Sequence, residues 1–195
     1  MFFEAYVKDL VCSEEDCLRI ECLSRNQANS DAWVQARSER ITASNFGKVC
    51  KLKPSTAPEN TVKAVLGYKE FSTSYTDYGQ AHEDTARRKY VSTMKKLHSG
   101  LTVKKCGLLI TPEYPYLGAS PDGFVNCTHC EDHNGLLEIK CPASKNWRLK
   151  APTECAMDTK FYCRLVEGKV TLKRNHAYFF QVQGQQSVVE NGVIL

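Results

Sequence analysis

The nine residues VKKCGLLIT, 103 to 111, set apolar side chains at consecutive positions instead of alternating them with polar ones. A strand with that pattern is covered on both faces, so the chain must pack further layers above and below it. Two more strand candidates follow, around GASPDGFVN and in GLLEIKCP, and a hairpin is predicted about Glu167-Gly168.

Helical signals flank these strands. NSDAWVQARSER is predicted as a helix capped at Ser30 or Asp31, and a second helix is entered through Thr42 or Ser44. The breaker-rich KLKPSTAPENT separates these from NTVKAVLG, a short helix stopped by Gly67. The longest periodic stretch runs from about 75 to 97. Ala86, Tyr90, Met94 and Leu97 share its apolar stripe, which continues backwards to Glu83 and Gly79. A carboxylate therefore falls on the inward face, beside a glycine that allows close approach. HAYFFQVQGQQSVVE supplies a last aromatic-rich helix. Helices before and after a small sheet indicate an α/β or α+β sandwich.

With 195 residues, 42% of them hydrophobic and 25% charged, the chain suits one soluble domain with a sizeable core. Its formal net charge of +4 permits a polyanionic partner but is well short of a nucleic-acid-coating protein. Charges interrupt every apolar run, leaving no signal-peptide core and no spanning segment, so the expectation is an intracellular protein without a membrane partner, nucleus and cytoplasm undistinguished. In such a setting the ten cysteines are expected as reduced thiols, mostly buried, or as metal ligands.

The chemistry concentrates in SPDGFVNCTHCEDHNGLLEIKCP, residues 120 to 142. Alternation along a strand sends Glu138 and Lys140 to one face and Leu137, Ile139 and Cys141 to the other. With Asp122 at a neighbouring strand end, two carboxylates and the backbone carbonyl of Ile139 form a hard oxygen site suited to Mg²⁺ or Mn²⁺. The same residues also read as a Pro-Asp-Gly turn and the wet face of a strand, and Glu83 as the partner of Arg87 or Arg40. Between them, Cys127-x-x-Cys130 with His133 has partial zinc-ligand spacing. With no second clear pair, an ordinary solvated hairpin loop is the preferred reading of that segment, and structural Zn²⁺ the lesser one.

The ordered set RITASNFGK, YGQAHEDTA, GLLITPEYPYLGASPDGFV, GLLEIKCP and YFFQVQGQ resembles the YqaJ-type viral recombinase family, which is lambda exonuclease-like and belongs to the PD-(D/E)XK nuclease superfamily. The resemblance implies a restriction-endonuclease-like α/β core, a small mixed central sheet flanked by helices. It divides the chain into an N-terminal extension, 1–32, and a nuclease domain, 33–195. GQQSVVENGVIL does not look like the family's usual continuation, so the domain is expected to be truncated, lacking the last strand and helix.

Carried over position by position, the resemblance implies that Asp122, Glu138 and the Ile139 carbonyl bind metal, that Glu83 serves a second ion, and that Lys140 is catalytic. Arg40 and Ser44 would contact the DNA 5′ phosphate, with Gln181 and Gln183 orienting water or phosphate near the metals. The implied function is a Mg²⁺-dependent (or Mn²⁺-dependent) 5′–3′ exonuclease on double-stranded DNA ends, with two ions, acting in recombination beside a single-strand-annealing recombinase and as a homotrimer. The alternative is a catalytically silent DNA-binding or partner-binding remnant of a viral or mobile-element nuclease. Lys104, Lys105, Lys173 and Arg174 are further candidates for nonspecific phosphate contacts.

Overall fold

A computed structural model of the chain describes residues 8–67, 74–189 and 193–194. Its elements run α1 (Glu14–Leu23), α2 (Asp31–Ser38), β1 (Ile41–Thr42), α3 (Ala43–Cys50), α4 (Glu59–Val65), α5 (Ser74–Met94), β2 (Leu101–Lys104), β3 (Leu117–Gly118), β4 (Gly123–Cys127), β5 (Asn134–Leu137), α6 (Pro152–Cys155), β6 (Cys163–Val166), β7 (Lys169–Leu172), α7 (Ala177–Val188) and β8 (Val193–Ile194). The main sheet is mixed, in the order β2-β4-β5-β8: the first two pairings are antiparallel and β5-β8 is parallel. β1 pairs with β3 in parallel, and β6-β7 is the predicted hairpin, turning through Glu167 and Gly168 at φ 50 and 76. Two positive φ values in a two-residue loop match the twist of the flanking strands.

Ser30 accepts the Trp33 amide at the start of α2, as predicted, whereas Thr42 precedes α3 without a side-chain cap bond; Ser13, not predicted, forms a reciprocal box with Asp16 at the start of α1. The helix predicted to reach residue 97 ends at Met94, so Leu97 leaves the stripe and is 75% exposed, while Tyr90 and Met94 pack on Leu101, Val125, Cys127 and Leu137. Half of the cysteines are buried: Cys12, Cys17, Cys106, Cys127 and Cys155. Among the described residues, no helix is long and apolar enough to cross a membrane.

Within 103–111 the part from 106 to 110 is covered on both sides, with Cys106 and Leu108 fully buried and Ile110 nearly so, while Lys104 and Lys105 are exposed; only the first two residues belong to a strand. The remainder is held by a bridge between Leu109 and Ala119 and by α1. The Gly107 amide donates to Glu21 Oε1 at 3.1 Å, and the Leu108 amide to Ser24 Oγ at 2.7 Å. Side chains thus take the place of a neighbouring strand in satisfying buried backbone donors. Cys12 and Cys17 join Leu108 and Ile110 in one apolar cluster, with Trp33 packed against it. Residues before 33 accordingly contribute to the same core as those after it.

Helix α7 packs on α3 at close range. A Cβ at Gly184 would stand 2.4 Å from the Phe46 ring, and one at Gly47 3.1 Å from the Ala177 Cα. This approach brings the polar face of α7 over the end of β5.

Two glycine substitutions should diverge. A Cβ at Gly107 would lie 1.9 Å from the Glu21 carbonyl oxygen, so Gly107→Ala must displace backbone and should cost at least about 1–3 kcal/mol. Gly79, inside α5, has nothing within 4 Å of a built Cβ, and Gly79→Ala should stabilise by about 0.5–1 kcal/mol. Urea denaturation of both variants checks the sign and the ordering.

Candidate functional site

Antiparallel pairing of β4 and β5 sets Gly123 opposite Leu137, so the residues just outside the two strands, Asp122 and Glu138, emerge at the same sheet end. The Asp122 amide donates to the Leu137 carbonyl at 2.8 Å, and the Ile139 amide donates to Asp122 Oδ2. Strand pairing therefore extends into the site and orients the first carboxylate.

Glu138, with its side chain 8% exposed, is clasped by three donors. Lys140 Nζ and Gln181 Nε2 donate to its Oε1, the latter at 2.6 Å, and Gln185 Nε2 donates to its Oε2 at 2.6 Å. Gln185 is itself fully buried. The predicted glutamine pair needs correction here. Gln183 bonds to Gln186 at 2.7 Å on the exposed side of α7, while Gln185 reaches Glu138. The helical period explains why: 181 and 185 are one turn apart and share a face, whereas 183 is displaced by about 200°. Spacing of i, i+4 was the available signal.

Burial raises the Asp122 carboxyl, the Glu138 and Glu83 carboxylates add repulsion, and its pKa is pushed up to about 7 despite the Ile139 amide and Lys140. Burial opposes the Lys140 ammonium, but Glu138, aided by Asp122 and Tyr178, more than offsets it and raises its pKa. Its ammonium also lies 4.9 Å from the centre of the Tyr178 ring. Lys140 is consequently a charged donor, held over an aromatic face.

From α5, Glu83 faces the same place with its side chain 30% exposed. Arg87 pairs with Glu83 and Asp84 and donates through Nε to the Asp122 carbonyl oxygen at 3.1 Å. The pairing that could have made Glu83 a purely structural residue is thus present, and it links the helix to Asp122. His82 points elsewhere: it stacks on Tyr78, and its Nδ1 contacts the Tyr78 carbonyl at 2.8 Å.

Two cavities meet at Glu83. One of about 460 Å³ is bordered by Asp122, Arg87 and Lys105; the other, about 990 Å³, by Arg37, Gly79, Lys140 and Tyr178. His176 lines the larger one and caps α7, accepting the Tyr178 amide at 3.2 Å; burial and the nearby Lys51 and Lys173 lower its pKa, as an acceptor nitrogen requires.

Arg40, expected at a DNA phosphate, is 5% exposed and donates to the carbonyls of Pro115 at 2.8 Å and Ala36 at 2.9 Å. Its guanidinium is consumed in tying α2 to the segment before β3. Arg37, one turn earlier, lines the larger cavity, lies 4.1 Å over the Trp33 ring and reaches Ser44 Oγ at 3.4 Å. Among the described residues it has no acidic partner, and burial lowers its pKa to about 10. Lys173 is also occupied, donating to the Thr159 and Phe161 carbonyls at 2.6 Å each. The third residue of the predicted zinc triad, His133, contacts the Cys127 carbonyl through Nδ1 at 3.1 Å and lies outside the thiol cluster.

Comparison with solved structures finds similarity to an alkaline exonuclease, LHK-Exo, from Laribacter hongkongensis: 25% identity, 82% of this chain and 69% of that one covered, TM-score 0.55. LHK-Exo in complex with dAMP gives 26%, 80%, 66% and 0.52 respectively. A SOX–DNA complex shares the fold at 15% identity, with 91% of this chain and 55% of that one covered and a TM-score of 0.53. Curated protein sequences gave no significant match. The model of the YqaJ-like viral recombinase domain matches residues 32–191, a span that contains every carboxylate, lysine and glutamine of the cluster. The chain belongs to the YqaJ-like viral recombinase domain family.

Proposed function

We propose that the chain is a divalent-metal-dependent deoxyribonuclease, a 5′–3′ exonuclease acting on double-stranded DNA ends, with a PD-(D/E)XK core in residues 33–195. The observation that carries this reading is the pair of buried carboxylates, Asp122 and Glu138, beside a charged lysine at the wall of an open cleft. Their donor chemistry suits Mg²⁺ or Mn²⁺. Both are hard oxygen ligands; burial and then the adjacent Glu138 and Glu83 carboxylates raise the Asp122 pKa, a cost of ionisation that a divalent cation relieves. Asp122, Glu138 and the Ile139 carbonyl would hold one ion and Glu83 would serve a second. When bound, such an ion polarises a phosphodiester and makes water more acidic.

The chain's own residues do the rest. Gln181 and Gln185 fix the Glu138 carboxylate in one orientation, at no reorganisation cost during reaction. Lys140 supplies a point charge for the phosphate's developing negative charge or for orienting the attacking water. Arg37 and Ser44 replace the earlier Arg40 and Ser44 pairing as the 5′-phosphate contact, because Arg37 has no acidic partner among the described residues and borders the cleft. The similarity to LHK-Exo, an alkaline exonuclease, supports the activity class. A recombination role, a single-strand-annealing partner and a trimer remain parts of this proposal.

End-labelled duplex incubated with purified protein and Mg²⁺ tests the activity. Digestion should proceed from 5′ ends and fall by about 10²-fold or more in Lys140→Ala and Asp122→Asn. Equal digestion by all three proteins would remove the site assignment, and no digestion by any would favour the silent remnant.

Neighbouring positions should separate cleanly in the same assay. Gln185→Ala should lower digestion at least tenfold, about 1.4 kcal/mol, while Gln183→Ala stays near the parent. Arg37→Ala should erase a preference for phosphorylated 5′ ends. Arg40→Ala should instead lower the melting temperature, since it strips a buried and a part-buried carbonyl of their donor.

Folding raises the Asp122 pKa above its ordinary value near 4, so the native state binds the extra proton. In EDTA, stability from this group is fully present below about pH 4 and is lost as pH rises through about 7. Thermal melts from pH 4.5 to 8 should show this decline, Asp122→Asn should flatten it, and Mg²⁺ should restore stability at the alkaline end.

A further inference from the structure

We infer that His98, Cys127 and Cys130 form a zinc-binding staple, distinct from the carboxylate cluster and with a different histidine from the one the sequence spacing suggested. Register brings the three together. β2 and β4 pair with Leu101 opposite Cys127, so the residues just before β2 lie beside the end of β4. His98 sits three residues before that pairing, held by its own amide to the Met94 carbonyl at 2.8 Å and by its carbonyl to the Leu101 amide at 3.0 Å. Cys130 follows in the β4–β5 turn, which closes through the Cys127 amide and the His133 carbonyl at 2.8 Å.

The ligand atoms converge. Cys130 Sγ lies 2.9 Å from Cys127 Sγ and 3.3 Å from His98 Nδ1, and all three atoms are within 4.8 Å of one another. Tetrahedral zinc, with Zn–S about 2.3 Å and Zn–N about 2.0–2.1 Å, spaces its ligand atoms at about 3.5–3.8 Å, so a small outward movement of the half-buried Cys130 would admit the ion. Two thiols and an imidazole are soft and borderline donors that select zinc over the hard cations suited to the carboxylates. A disulfide alone would not call for the imidazole. Cys127 is buried at the strand end, while His98 and Cys130 are half exposed, which leaves the fourth position to solvent.

The location gives the staple its consequence. Cys127 ends the strand that Asp122 precedes, and His98 follows the helix that carries Glu83. Zinc clips these two elements together at the end opposite the carboxylates, about 16 Å away along β4. It acts on that site only by holding its two supports in register.

Elemental analysis of the full chain, purified under reducing conditions without added metal, should find a single zinc ion per chain. Cobalt substitution should then give thiolate-to-cobalt charge-transfer absorption. Cys130→Ser and His98→Ala should each lose most of the zinc, whereas His133→Ala and Asp122→Asn should keep it. Absence of zinc together with absence of the cobalt band in the unmodified protein would overturn the proposal, and this arm does not depend on any variant folding. Retention in His98→Ala with loss in His133→Ala would overturn the ligand set; loss in Asp122→Asn would assign the ion to the carboxylates instead. None of these readouts requires nuclease activity, so failure here and failure of the deoxyribonuclease reading are separately visible.

Discussion

A carboxylate taken out of water has to be matched by donors, and the Glu138 side chain is matched by three: Lys140 from its own segment, and Gln181 and Gln185 from α7. That requirement fastens the last long helix to the end of β5. It also explains the glycines on both sides of the α3–α7 contact. The helix must come close enough for the two glutamine amides to reach, and bulk at Gly47 or Gly184 would hold it away. The pairing of a buried acid with an equally buried Gln185 is thus a fold contact and a site contact at once. Truncating either partner would leave a desolvated polar group without its match.

The second acid is positioned by other means. Asp122 is fixed through the backbone, by the hydrogen bonds that continue the β4–β5 ladder beyond its last residues, and Arg87 ties its carbonyl to the Glu83 carboxylate on α5. Three elements, a strand end, a strand exit and a helix, consequently deliver three acids to one place. Burial, and then the repulsion of the neighbouring carboxylates, raises the Asp122 pKa. A site assembled this way stores electrostatic strain that protons or cations can relieve.

Support for the sheet comes partly from side chains instead of strands. Glu21 and Ser24, at the end of α1, accept the amides of Gly107 and Leu108, and Gln27 donates to the Cys106 and Pro121 carbonyls at 2.9 Å each. Since Pro121 immediately precedes Asp122, the segment before residue 33 reaches the frame of the site. An appendage would not bury Cys12 and Cys17 against Leu108 and Ile110.

Local patterns were legible in the sequence by themselves: the Ser30-capped helix, the hairpin at Glu167-Gly168, the double coverage of the apolar part of 103–111, and the placement of Glu138 and Lys140 on one side of their segment. These follow from periodicity, caps and turn residues, which act over a few positions and leave their mark there. Tertiary structure decided the partners. It spent Arg40 on backbone carbonyls and left Arg37 facing the cleft, chose Gln185 over Gln183, stopped α5 before Leu97, and brought His98 to the thiols where sequence spacing had suggested His133. Each of those outcomes depends on which element lies against which, and on which groups are buried without another donor. The chain encodes such choices only through its whole packing, because hydrogen-bond partners and desolvation are properties of neighbours in space and not of neighbours in sequence.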